Sequence, residues 1–134
     1  RYRARISGPL LDRIDVLIEV PPLTLLALDR AKGSESSSVV RSRVLAAREF
    51  RAERLAGEGM AEDCSLEQRG RLTPEARRLL REALVRDGLS GRGYVRVIDL
   101  ARTIADLDQT TRVGVEHIAE ALALRLDQRR VGLL

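Results

Sequence analysis

The stretch that decides the fold is Leu89-Ser-Gly-Arg-Gly-Tyr-Val-Arg-Val-Ile-Asp-Leu-Ala-Arg-Thr-Ile-Ala-Asp-Leu107. Ser90 is a helix-capping residue, because its hydroxyl can accept from a backbone amide that has no partner in the first turn. After it Tyr94, Val97, Ile98, Ala101, Ile104 and Ala105 recur at steps of three and four. This is the spacing of one apolar stripe on an α-helix, predicted over about Gly91–Leu107. Arg92 falls on the other side, within the first turn. A cation sits poorly there, because the helix N-terminus already carries partial positive charge. A docked anion such as a phosphate would reverse that penalty; without one, the arginine is simply solvated. Arg102 and Asp106, spaced i,i+4 on the flank of the stripe, are expected to form a structural ion pair, worth a few tenths of a kcal/mol if exposed.

Working outward, the neighbouring segments repeat the helical pattern. Thr73-Pro74-Glu75-Ala76 is a helix start, with a capping threonine, proline at the first helical position and an acid in the first turn. Ala76, Leu79, Leu80, Ala83 and Leu84 follow, and Gly88 provides a stop. A last helix, about Val115–Leu126, carries Val115, Ile118, Leu122 and Leu126. His117 lies beside that stripe and is expected at the surface or half-buried, not as a ligand. Upstream, Ser38 can cap a helix over Val39–Gly57. Its apolar residues Val39, Val40, Val44, Ala47, Phe50 and Leu55 share an arc of roughly 160° with Arg43, Arg51 and Arg54. Those guanidinium groups must snorkel, pair with carboxylates or line a cleft. Glu58–Leu72 reads as polar loop with a helical turn near Leu66. Four helices joined by short loops make a small bundle in which each needs its neighbours.

The N-terminal stretch is different. Ser7-Gly8-Pro9 is a turn cluster, Leu10-Leu11 an apolar plug, and Asp12-Arg13-Ile14-Asp15 sets one arginine between two carboxylates. Read locally, Arg13 pairs with those aspartates. Ile14, Val16, Ile18 and Val20 then alternate with Asp15, Leu17 and Glu19, a strand pattern ended by Pro21-Pro22. A single strand cannot satisfy its own ladder of backbone groups. It either pairs with a second copy or belongs to a sheet in a preceding part of the protein, and the second is preferred. Lys32–Ser38 is a glycine- and serine-rich hinge.

Composition narrows the function. The chain has 134 residues, 24 of them basic, and all of those but Lys32 are arginine. Residues 1–54 hold 11 basic and 7 acidic groups, and residues 55–134 hold 13 of each. The excess, net +4, sits towards the N-terminus and suggests a nucleotide or nucleic acid without proving one. The lone Cys64 excludes a disulfide framework or cysteine metal cluster and agrees with a cytoplasmic setting. No apolar run reaches the ~18 residues of a membrane span. With only Tyr2, Phe50 and Tyr94 as aromatics, base stacking is poorly supported. Gly33-Ser-Glu-Ser-Ser-Ser38 lacks the second glycine and the lysine of a phosphate loop. No serine–histidine–aspartate or zinc spacing is present. This chain alone is therefore not expected to catalyse a reaction.

Two blocks carry a resemblance. Arg5-Ile-Ser-Gly-Pro-Leu-Leu-Asp-Arg-Ile-Asp15 resembles a segment of magnesium-chelatase-like AAA+ ATPases of the ComM/YifB type, and more loosely the Ser-Arg-Phe-Asp motif of minichromosome-maintenance helicases. Leu89–Leu107 resembles the same family's later motif. Val44–Arg54 and His117–Leu122 fit weaker patterns. The resemblance implies a mainly α chain: the C-terminal helical lid of an AAA+ ATPase, about four helices, preceded by a remnant strand of the α/β core. Residues 1–31 would be the end of the core, 32–38 a linker and 39–134 the lid. Arg13 would correspond to the arginine finger acting on the neighbouring subunit's γ-phosphate, and Arg92 to the sensor-2 arginine of the subunit's own site. The resemblance further implies ATP and Mg2+ in the full-length protein, a hexameric ring of identical subunits, DNA as a partner and no membrane. No cofactor is expected on this fragment alone. Gly91 and Gly93 stand where the family more often has alanine, and Arg51 where glutamine is common. Two alternatives stay open: a magnesium-chelatase motor subunit acting in tetrapyrrole metal insertion, and a non-enzymatic helical DNA-binding module.

Overall fold

The computed structural model describes residues 13–18, 20, 22, 35–57, 66 and 70–131, with side chains described as far as residue 125. Four helices follow in order: α1 Ser37–Gly57, α2 Pro74–Arg86, α3 Gly91–Leu107 and α4 Val115–Val131. Helix α3 packs between α1 and α4, and α4 in turn packs on α2. Cys64, most of 58–69 and the expected linker residues 32–34 lie outside the described residues.

The core is made by the periodic residues of α2, α3 and α4. Ala76, Leu80 and Ala83 meet Val97, Ile98, Ala101, Ile104 and Ala105, with Ile118, Ala121 and Leu122 from α4. Small residues recur because close helix approach leaves room for a methyl group where a leucine would overpack. Each helix is bounded by the residues that favour an end. Thr73 Oγ1 accepts from the Ala76 amide at 3.2 Å, and Pro74 occupies the first turn of α2. Gly88 leaves α2 with φ of 56°. Helix α3 closes with the Thr110 amide on the Ala105 carbonyl (2.9 Å) and the Gln109 amide on that of Asp106 (3.2 Å). Gln109 holds the left-handed φ of 54° that this double closure requires.

Leu72 and Val113 form an isolated parallel bridge immediately before α2 and α4. The Thr73 amide donates to the Val113 carbonyl and the Val113 amide to that of Arg71, both at 3.0 Å. Both helices therefore start from one clamped point. At α4, Gly114 N–H donates to His117 Nδ1 at 2.8 Å, and Nε2 lies 3.3 Å from Asp108 Oδ2. His117 is thus buried, not at the surface, because its ring serves as the acceptor that caps α4.

Four further sequence expectations change. First, the expected strand does not form: among the described residues, 14–18 and 20 carry no regular structure. The alternation is present, but among the described residues no second strand completes its ladder. Second, α1 begins at Ser37 and its cap is Ser36, whose Oγ and carbonyl both accept from the Val39 amide. Third, the apolar arc of α1 is mostly not buried. Ala47 alone among its described residues is buried, while Val39, Val40, Val44, Leu45 and Leu55 are exposed.

The fourth change concerns Asp106. The expected pair with Arg102 forms, but it is buried and the same carboxylate also takes a second arginine from another helix. Arg54 of α1 donates from Nε and an Nη, each at 3.1 Å, and Arg102 donates from Nε at 3.1 Å. Arg102 also donates to the carbonyls of Thr110 and Thr111. The side chains of Arg54 and Asp106 are each only 6% exposed. A carboxylate that accepts a fork from one arginine and a bond from another has offset its lost hydration, whereas removing it would strand two buried cations.

Asp106→Asn should therefore destabilise the chain by about 3–5 kcal/mol, measured by urea unfolding. The exposed pair Arg78–Glu82 is the internal control, because Glu82→Gln should cost less than about 0.5 kcal/mol. Equal effects at the two positions would contradict the buried triad.

Candidate functional site: the start of α3 and the turn at Arg13

The Ser90 hydroxyl accepts from the Gly93 amide at 3.0 Å, and the Tyr94 amide closes on the Ser90 carbonyl at 2.9 Å. The amides of Gly91 and Arg92 make no hydrogen bond with another described residue. No acidic residue occupies the first turn. Arg92 is exposed and has no hydrogen-bond or ion-pair partner among the described residues. Two open amides, the positive end of a 17-residue helix and a guanidinium group thus share one helix terminus. That donor set fits phosphate oxygens. It does not fit a metal: among the described residues no group of three or more His, Cys, Asp or Glu is placed to hold one.

Arg13 lies in an exposed turn. Its neighbour Asp15 does not pair with it. Instead Asp15 makes an ion pair with Arg96 on α3, and its Oδ1 lies 3.8 Å from the buried Arg125 on α4. The Leu17 amide adds a bond to the Leu124 carbonyl at 3.2 Å. The segment after Arg13 is therefore laid against α3 and α4 by one carboxylate and one backbone bond. Arg96 is one helical turn beyond Arg92, about 6 Å along the axis. Asp15, two residues after Arg13, thus meets the half of α3 that carries Arg92, through a contact that sequence reading missed. The only local signal was the i,i+4 spacing of Arg92 and Arg96, a like-charge pair that is unfavourable without a counter-ion.

Of the other arginines in the α1 arc, Arg43 makes a two-pronged pair with Glu35 at 2.9 and 3.0 Å, and Arg51 is exposed. Neither reaches the α3 terminus through a described contact. At the terminus itself, a Cβ on Gly91 would meet nothing within 4 Å, whereas one on Gly93 would lie 3.3 Å from Ser90 Oγ. Gly91→Ala should therefore raise thermal stability by about 0.5–1 kcal/mol, through lower unfolded-state entropy. Gly93→Ala, which crowds the cap, should not. A calorimetric comparison of the two variants checks this, and the reverse order would contradict the described start of α3.

Comparison with known proteins agrees with this architecture. Residues 34–125 match the family described as magnesium chelatase, subunit ChlI C-terminal. The chain is 37% identical over 138 residues to the uncharacterized protein YifB of Salmonella typhimurium, covering 96% of this chain and 26% of that protein. It is 38% identical over 133 residues to the competence protein ComM of Haemophilus influenzae, covering 93% of this chain and 25% of ComM. The uncharacterized protein Mb2921c of Mycobacterium bovis is 38% identical over 130 residues, with 93% and 26% covered. The chain thus spans about a quarter of the length of these relatives. No helix among the described residues is long and apolar enough to cross a membrane. The helical bundle, its residue range and these relatives together identify the chain as a member of the magnesium chelatase subunit ChlI C-terminal family.

Proposed function

We propose that this chain is the C-terminal part of an ATP-hydrolysing ring protein, in which residues 39–134 form the helical lid. Residues 1–31 then close the α/β core and 32–38 link the two. The observation that carries this is the start of α3, where Arg92 and two open amides converge without an acidic neighbour. Arg92 acts as the sensor-2 arginine, holding phosphate oxygens of the subunit's own ATP. Arg13 acts as the arginine finger, presented in an exposed turn to the nucleotide of the adjacent subunit in a hexamer.

Both roles suit a planar, permanently charged fork that can face two phosphate oxygens at once. Negative charge grows on the transferring phosphoryl group and its leaving oxygens, so a fixed guanidinium there stabilises the transition state more than the ground state. ATP would bring the reactive phosphoanhydride and Mg2+ its charge neutralisation; among the described residues no group of three or more His, Cys, Asp or Glu is placed to hold that ion. DNA is the favoured substrate of the motor. Support comes from the kinship with a protein named for competence and from the N-terminal excess of arginine. The family description supports a second reading, a chelatase motor that works on a metal-inserting partner.

In the full-length protein, Arg13→Ala should abolish hydrolysis with ATP affinity nearly intact. Arg92→Ala should weaken nucleotide binding as well as turnover. Wild-type turnover in either variant rejects that residue's role. Stimulation of wild-type turnover by DNA supports the DNA motor, and its absence favours the chelatase reading. Sub-micromolar, salt-sensitive binding of DNA by the 134-residue chain alone would instead favour a simple DNA-binding module.

A further inference from the structure

We infer that Asp15 is a positioning residue that ties the Arg13 turn to the lid of the same subunit, so that the lid's response to its own nucleotide moves Arg13 relative to the next one. This rests on the ring ATPase proposed above. The contact is built from both sides. Asp15 is two residues from Arg13, a span of at most about 7 Å. Its carboxylate pairs with Arg96, which is half-buried on α3, and faces Arg125, whose side chain is 5% exposed on α4. A guanidinium held inside a bundle gains from a nearby carboxylate, here one that is 56% exposed and therefore partly screened by water. The Leu17–Leu124 backbone bond holds the segment two residues further on.

The placement of these groups along the chain is what gives the contact a mechanical meaning. Asp15 and Leu17 precede the family-matched region, which starts at residue 34, whereas Arg96, Leu124 and Arg125 lie within it. The tether therefore joins the lid domain to the segment before it, across the polar hinge. On the lid side its anchor, Arg96, shares a rigid helix with Arg92 and stands one turn away. A displacement of α3 that follows phosphate binding at Arg92 is passed to Arg96 without loss, since a packed helix moves as a body. From Arg96 it passes through Asp15 to the turn carrying Arg13. One carboxylate thus couples two nucleotide sites: the one touched by the lid and the one reached by the finger.

The test uses the full-length protein and compares Asp15→Asn, Asp15→Glu and Arg13→Ala. Turnover, ATP affinity and hydrogen exchange of the amides at residues 14–18 are measured with and without ATP. Asp15→Asn should leave ATP affinity within about twofold and lower turnover roughly tenfold, the scale of one lost charge-assisted hydrogen bond. It should also speed exchange at Leu17 and remove the effect of ATP on it. Asp15→Glu should restore both readouts, which a purely structural defect at this position would not predict. Wild-type turnover and exchange in Asp15→Asn, beside an inactive Arg13→Ala, overturn the tether and leave the finger assignment standing. Wild-type turnover in Arg13→Ala overturns the finger assignment and with it the coupling.

Discussion

The buried carboxylate of Asp106 is the constraint on which the arrangement of the helices depends. Without it α1 has little reason to lie on the bundle, since Ala47 is the one described residue of the helix that is buried. Its valines and leucines stay largely exposed, so hydrophobic burial supplies only a small part of its attachment. The fork from Arg54 substitutes a directional interaction for a greasy one. The same carboxylate, through Arg102, holds the carbonyls of Thr110 and Thr111 and so sets the loop that leads to Val113. Val113 bridges Leu72, and that bridge starts both α2 and α4. One ionic cluster thus connects the placement of all four helices.

Electrostatics of two kinds divide the molecule. At Asp106 the charges are buried and mutually satisfied, which makes the geometry unique and expensive to disturb. At the start of α3 the positive groups are left open: Arg92 is exposed, its amide and that of Gly91 make no described bond, and the first turn holds no acid. A domain that pairs Arg54 and Arg102 in its interior and leaves this terminus open has a surface suited to an anion. The Asp15 contact lies between these regimes, with a partly exposed arginine on one side and a buried one on the other. Such a contact can be strong enough to transmit a displacement and weak enough to yield to it.

Much of the fold was legible in the residues. Ser90, Thr73-Pro74 and Gly88 act locally, on amides within four positions, so the ends of α2 and the span of α3 could be read directly. The stripe on α3 was equally legible, because period and burial agree along it. Arg92 could be singled out because its helix position and charge are both local properties. Reading failed where the outcome depended on a partner far along the chain. Arg54 lies 52 residues from Asp106, and Arg96 lies 81 from Asp15. For α1 the pattern pointed to burial, but a pattern states which face prefers to be covered and not whether a neighbour exists to cover it.

The residues 14–20 make the division plain. Their alternation of β-branched side chains is a property of the local chain, and it specifies an extended, two-faced segment. Whether that segment becomes a strand depends on hydrogen-bond partners supplied by other backbone, which no local pattern contains. Helices carry their own ladders, so capping and period sufficed to specify four of them. Ion pairs between helices and the docking of an extended segment do not carry their partners with them. Tertiary packing alone decided that Asp106 would hold α1, and that Asp15 would turn from its neighbour Arg13 to Arg96.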